Sequence, residues 1–136
     1  MGILLDASRS LRKAQFIQMK HFVRELARNV DLSGDSRFGL ITVNSKARLR
    51  LAFTEKNNQN LERVKKILRN EYLDNKWNTR IDLALQKANK ELFTQTKDGD
   101  DRAKVLILVS DSKSYPPVDD YTSYVEPLKV RILFIY

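Results

Sequence analysis

The sequence predicts an α/β domain built on an open, mostly parallel, doubly wound sheet of the Rossmann-like kind, with one antiparallel edge strand. Three observations carry that prediction. Short apolar runs alternate with segments of helical periodicity, as in successive βαβ units. The run Val105 to Val109 is apolar at every position, as a strand covered on both faces must be. The run Ala47 to Phe53 instead alternates, with Arg48 and Arg50 between apolar neighbours, as a half-covered edge strand does. Right-handed crossovers then connect the parallel strands.

Each element follows in chain order. Gly2 to Leu5 is a short apolar run ending at Asp6. A helix follows, with Leu11, Phe16, Met19, Phe22, Val23, Leu26 and Val30 at spacings of three and four. Ser33-Gly34-Asp35 is a turn. Phe38 to Val43 is the second strand. In the edge strand, Ala47, Leu49, Leu51 and Phe53 are expected on one face. Leu61 to Leu68 is a short helix that turns Leu61, Val64, Ile67 and Leu68 inward. The loop Asp74 to Thr79 leads into a helix with Ile81, Ala84, Leu85, Ala88 and Leu92 on one stripe. Lys97 to Asp101 reads as a polar turn, and Pro116-Pro117 as a chain breaker. A weak helical segment near Tyr121 to Leu128 precedes Val130 to Tyr136, another strand expected to be buried.

Residues 1–136 suit one domain with a real core, and no repeat or low-complexity stretch interrupts it. The 31% of charged residues against 42% hydrophobic ones describe a globular chain. No apolar run is long enough to span a bilayer, and Ile3 to Leu5 is too short for a signal peptide. The absence of cysteine excludes disulfides and thiolate metal sites within the chain. The single histidine, His21, excludes multi-histidine zinc sites. A formal charge of +8 favours acidic partners. The basic residues are spread along the chain, however, which reads first as a solvated basic surface.

Three segments meet at the predicted ligand rim, beyond the carboxyl ends of the strands. They are Asp6-Ala7-Ser8-Arg9-Ser10, Ser110-Asp111-Ser112 and Trp77-Asn78-Thr79. Taken singly, Asp6 and Ser8 are ordinary helix N-caps and Asp111 an ordinary turn residue. Together they form an all-oxygen donor set with two carboxylates, suited to Mg²⁺, Mn²⁺ or Ca²⁺.

The same residues carry a family resemblance. Leu4 to Ser10 resembles the Asp-x-Ser-x-Ser signature of von Willebrand factor type A domains, the family of integrin inserted domains and of matrix proteins such as matrilins. Thr79 to Leu85 resembles the family's second motif. Val105 to Asp111 resembles the third, an apolar strand ending in Thr-Asp-Gly. The motifs come in the family's order and cover essentially the whole chain. The resemblance implies a metal-ion-dependent adhesion site in which Ser8, Ser10 and Thr79 contact the ion through hydroxyls. Asp6 and Asp111 would hold it mainly through water. It also implies a protein partner with an exposed Glu or Asp, collagen or another matrix protein among them, and an extracellular or cell-surface setting. Arg9, Trp77, Asn78 and Ser112 are candidate contacts to that partner. Trp77 is either such a contact or a core anchor, and its size favours the core.

Several residues depart from the family pattern. Ser112 stands where glycine is usual. Lys76, Trp77 and Asn78 replace the second motif's glycines, and Ile81 replaces its second threonine. A weaker metal affinity is expected. The resemblance also implies a piece shortened at both ends, without a final strand and helix, and hence no affinity switch through that helix.

Two rival functions are weighed. An enzyme is not expected: there is no Gly-x-Ser-x-Gly elbow, no phosphate loop and no placed general base. A heparin-like polyanion could bind Arg48, Arg50, Arg63, Lys65, Lys66 and Arg69 without metal, although a solvated face is the simpler reading. Nucleic acid is not expected as a partner.

Overall fold

The computed structural model describes residues 1–94, 102–111, 114, 117–118 and 120–135. Five strands form one sheet in the order β3-β2-β1-β4-β5. They are β1 (Gly2–Asp6), β2 (Gly39–Val43), β3 (Ala47–Leu51), β4 (Val105–Val109) and β5 (Arg131–Ile135). The pairs β1–β2, β1–β4 and β4–β5 are parallel, and only β2–β3 is antiparallel. The predicted class is therefore the observed one. The sheet order reverses between β1 and β4, the topological switch point where ligand crevices form. The turns predicted at Lys97 to Asp101 and at Pro116 lie outside the described residues.

Helices cover both faces because the interior strands are apolar on both. On one face, α1 (Lys13–Arg28) and α2 (Leu61–Asn70) bury Phe16, Val23, Val64 and Ile67 against Ile3, Leu5 and Val109. On the other, α3 (Ile81–Lys87) runs into a widened π-helical turn, Ala88–Phe93. Ile81, Leu85 and Leu92 there meet Leu4, Ile41 and Leu108. A short helix, α4 (Thr122–Val125), and a 3₁₀ turn, Glu126–Leu128, precede β5.

Four expectations need correction. First, α1 begins at Lys13, after Leu11, and leaves Phe22 exposed. Its first turn is closed by the Gln15 side chain, which accepts from the Arg12 amide at 2.8 Å. Asp6 and Ser8 therefore do not cap it. Second, β3 does not keep one apolar face. Its register shifts so that Leu40 faces Leu51 while Ile41 faces Leu49. Arg50 is the extra residue, and such a bulge inverts the alternation. Leu51 then packs with α1 and α2, whereas Ala47, Leu49 and Phe53 pack on the α3 side. Third, β5 is not buried. It forms the outer edge of the sheet, with Leu133 and Phe134 exposed. Fourth, Trp77 is exposed, as described below.

The bulged Arg50 is held by the buried Glu71, which follows α2. The guanidinium meets both carboxylate oxygens, at 2.7 and 3.0 Å, and its Nε also donates to the Thr42 hydroxyl at 3.1 Å. The fork ties α2 to the edge strand. In Glu71→Gln we expect a loss of about 1–2 kcal/mol, since a charge-assisted pair is lost while the half-buried Arg50 can partly rehydrate. Urea denaturation should show a lower midpoint at unchanged slope; an unchanged midpoint would refute the role.

Candidate functional site

The in-register pairing of β1 with β4 sets Leu5 opposite Val109. The next residue of each strand, Asp6 and Ser110, then meet across the switch point. The Ser110 hydroxyl donates to Asp6 Oδ2 at 2.6 Å, and the Ser8 amide donates to Asp6 Oδ1 at 2.8 Å. Ser8 Oγ lies 2.8 Å from Ser10 Oγ, and Ser10 Oγ donates to Asp111 Oδ1 at 3.0 Å. Four of the five predicted residues, Asp6, Ser8, Ser10 and Asp111, thus form one hydrogen-bonded cluster, with Asp111 101 positions beyond Ser10 in the chain.

Thr79, the fifth, is buried on the same rim but is not in that hydrogen-bonded chain. Backbone bonds place its loop. The Asp74 amide donates to the Ala7 carbonyl at 2.9 Å, and the Arg9 amide to the Lys76 carbonyl at 3.0 Å. The Arg80 amide donates to the Asn44 carbonyl, just beyond β2, at 2.8 Å. Ser114 closes the loop from the far side, its hydroxyl donating to the Thr79 carbonyl at 3.0 Å. Among the candidate contacts, Arg9 and Trp77 are exposed and stacked, with the guanidinium carbon 5.3 Å from the ring centroid. Trp77 is 62% exposed, so the core-anchor reading fails: its loop is held by backbone bonds and needs no aromatic plug. Asn78 is half-buried, and Ser112 lies outside the described residues.

Two residues, Ser110 and Ser114, were not among the predicted set. Ser110 had a signal in the sequence, since it directly precedes Asp111 at the end of an apolar strand. Ser114 had none.

The electrostatics of the cluster suit a cation. Burial pushes the Asp6 carboxyl upward; hydrogen bonds from Ser110 and Ser8 oppose the shift, and the Asp111 charge adds to it. Among the described residues neither Asp6 nor Asp111 forms a salt bridge. Two neighbouring carboxylates among hydroxyls, with no lysine or arginine paired to them, are a hard-oxygen donor set. The residues present therefore fit a divalent ion.

A doubly wound α/β domain with an oxygen-lined cluster at its switch point defines the class. The chain belongs to the von Willebrand factor type A family, whose domain model matches residues 1–134. Members of that family are commonly metal-dependent adhesion modules and typically bind without catalysing a reaction. Among solved structures, the chain is similar to proximal thread matrix protein 1 from the mussel byssus. One structure of that protein has a TM-score of 0.82 at 23% identity, over 98% of this chain and 35% of that one. A second crystal form gives 0.81 at 23%, over 98% and 36%. A third, whose metal-ion-dependent adhesion site is occupied by zinc, gives 0.81 at 22%, over the same shares. The chain thus spans about a third of the length of these proteins, and at this identity the likeness establishes the fold. No curated protein matches the chain. No helix among the described residues is long and apolar enough to cross a membrane.

The entrance to α3 depends on a separate pair. Arg80 forks onto Asp82 at 2.9 and 2.6 Å, and that hydrogen bonding holds the Asp82 carboxyl below its usual range. A carboxyl depressed on folding contributes stability above its unfolded pKa, roughly 3.9, and loses it as pH falls through the folded value. Asp82→Asn should be about 1–2 kcal/mol less stable at pH 7. The gap should close as denaturation is repeated toward pH 3; a constant gap would contradict the assignment.

Proposed function

We propose that this chain is a divalent-metal-dependent protein-binding module that grips an acidic residue of its partner at the β1–β4 switch point. The observation that carries the reading is the continuous cluster of Asp6, Ser8, Ser10 and Asp111, joined to Asp6 from β4 by Ser110. Ser8, Ser10 and Thr79 would offer hydroxyls, and Asp6 and Asp111 carboxylates acting mainly through water. A bound divalent ion supplies a positive charge that two water-buffered carboxylates leave largely uncompensated, so an acidic side chain of the partner can answer it. Mg²⁺ suits this hard, compact donor set, and Mn²⁺ or Ca²⁺ are the alternatives. The protein rigidifies the site beforehand: buried Asp6 and Ser8 fix the β1 exit, and the backbone bonds to Ala7, Arg9 and Asn44 fix the Thr79 loop. The partner fits a matrix protein, collagen-like or otherwise, in an extracellular or cell-surface setting. The family and the byssus matrix protein support that choice. No catalytic role is proposed.

The polyanion alternative has less to work with. Of its six cations, Arg50 is engaged by Glu71 and Lys65 by Glu62.

Calorimetric titration with Mg²⁺ and Mn²⁺ tests the site. Asp6→Ala and Asp111→Ala should each weaken metal binding roughly 10- to 100-fold. Ser10→Ala, at a half-buried position that removes little packing, should weaken it in the same direction and guards against misfolding of the Asp6 variant. Equal binding by all four proteins would sink the assignment. Partner binding should collapse in EDTA and survive moderate salt; the reverse pattern would favour a polyanion.

A further inference from the structure

The chain's only tryptophan, Trp77, is left largely in water on the loop that carries Thr79. Tryptophan has a large apolar surface to hide, and Trp77 leaves 62% of its own in water. The indole is nevertheless held in place. The Arg9 guanidinium lies over its ring, and the Arg9 amide is bonded to the carbonyl of the preceding Lys76. Arg9 stands between Ser8 and Ser10, whose hydroxyls lead to Asp111. The stacked pair is therefore anchored at the lip of the cluster. Among the described residues Arg9 makes no salt bridge, so its charge is available to a partner. Exposed Lys76 beside it adds a second positive charge.

We infer that Arg9 and Trp77 form a second contact for the same protein partner. The indole face takes an apolar, aromatic or proline side chain next to the partner's gripped acidic residue. The guanidinium takes a further carboxylate. The partner segment is thus acidic, with an apolar residue adjoining its anchoring Glu or Asp. Complementary charge argues for this occupant, and so does the chemistry of hot spots, where preordered Trp and Arg carry much of the binding energy. The inference rests on the cation-site reading, which it extends from one anchoring residue to a short motif.

The test pans the chain, with Mn²⁺ in solution, against displayed peptides that carry one fixed Glu among randomised neighbours. Selected peptides are then titrated while tryptophan emission is read. Because Trp77 is the sole tryptophan, the emission reports its own burial. Binding should shift the emission to the blue. Trp77→Ala should weaken binding roughly tenfold or more, as loss of a hot spot does. Trp77→Phe should recover much of it, Arg9→Ala should weaken it and flatten its salt dependence, and Tyr72→Ala, an exposed aromatic outside the pair, should change nothing. Mn²⁺ affinity, by calorimetry, should be the same in all four variants. Metal-dependent peptides that bind Trp77→Ala undiminished, or leave the emission unmoved, would overturn this inference alone. Loss of Mn²⁺ binding in Trp77→Ala would also overturn it, since the residue would then act by holding the loop. Peptides indifferent to EDTA, no enrichment at all, or a blue shift only on phosphatidylserine vesicles would overturn it together with the cation-site reading.

Discussion

The register between β1 and β4 is the constraint on which the rest of the molecule depends. Both strands are apolar on both faces, with Ile3 and Leu5 turned to α1 and α2, and Leu4 turned to α3. A strand patterned this way does not choose its register by hydrophobicity, because a one-residue slip exchanges one apolar face for another. The polar end makes the choice. Asp6 is fully buried, yet both its oxygens are satisfied, one by the Ser8 amide and one by the Ser110 hydroxyl across the ladder. A slip would separate Asp6 from Ser110 and leave a buried carboxylate short of a donor, at a cost of several kcal/mol. The residue that reads as chemistry is thus also the pin that aligns the sheet.

The composition of the rim follows from the same balance. A cluster richer in carboxylates would be harder to fold without an ion, because like charges would accumulate where burial already opposes ionisation of Asp6. Serine hydroxyls supply oxygen without charge, and they can satisfy one another, as Ser8 and Ser10 do. The chain as a whole carries a formal +8, a field that favours acidic partners at long range. A long-range basic field and a short-range oxygen cluster are compatible because screening separates their ranges, at roughly 8–10 Å in physiological salt.

Much of this was legible in the sequence, and the failures have identifiable causes. The fully apolar run at Val105 to Val109 and the periodic stripe beginning at Ile81 report burial directly, so the strand and the helix were placed correctly. The candidate cluster was legible because two of its residues stand at strand ends: Asp6 ends β1 and Asp111 follows β4. The bulge at Arg50 was not legible, because its stabilising partner, Glu71, is remote in sequence and an arginine between two leucines looks like plain alternation. The exposure of β5 was not legible either, since an apolar strand reads the same at a sheet edge as within it. Trp77 misled through its size, because a loop fixed by backbone bonds to Ala7, Arg9 and Asn44 leaves no sequence signature.

Two of these exceptions differ in kind, and the difference separates structure from function. Arg50 breaks the alternation of an edge strand, but the fold answers its charge internally: Glu71 pairs with the guanidinium and Thr42 accepts from its Nε. Trp77 and the charges of Asp6 and Asp111 are answered incompletely. The indole keeps an open face, and the carboxylates are bonded to hydroxyls and an amide, with no paired cation among the described residues. Local rules broken and repaired within the chain indicate architecture. Local rules broken and left open, on one rim at one switch point, indicate where binding partners complete the structure. By that criterion the proposed binding surface runs from Asp6 and Asp111 across Ser8 and Ser10 to Arg9 and Trp77.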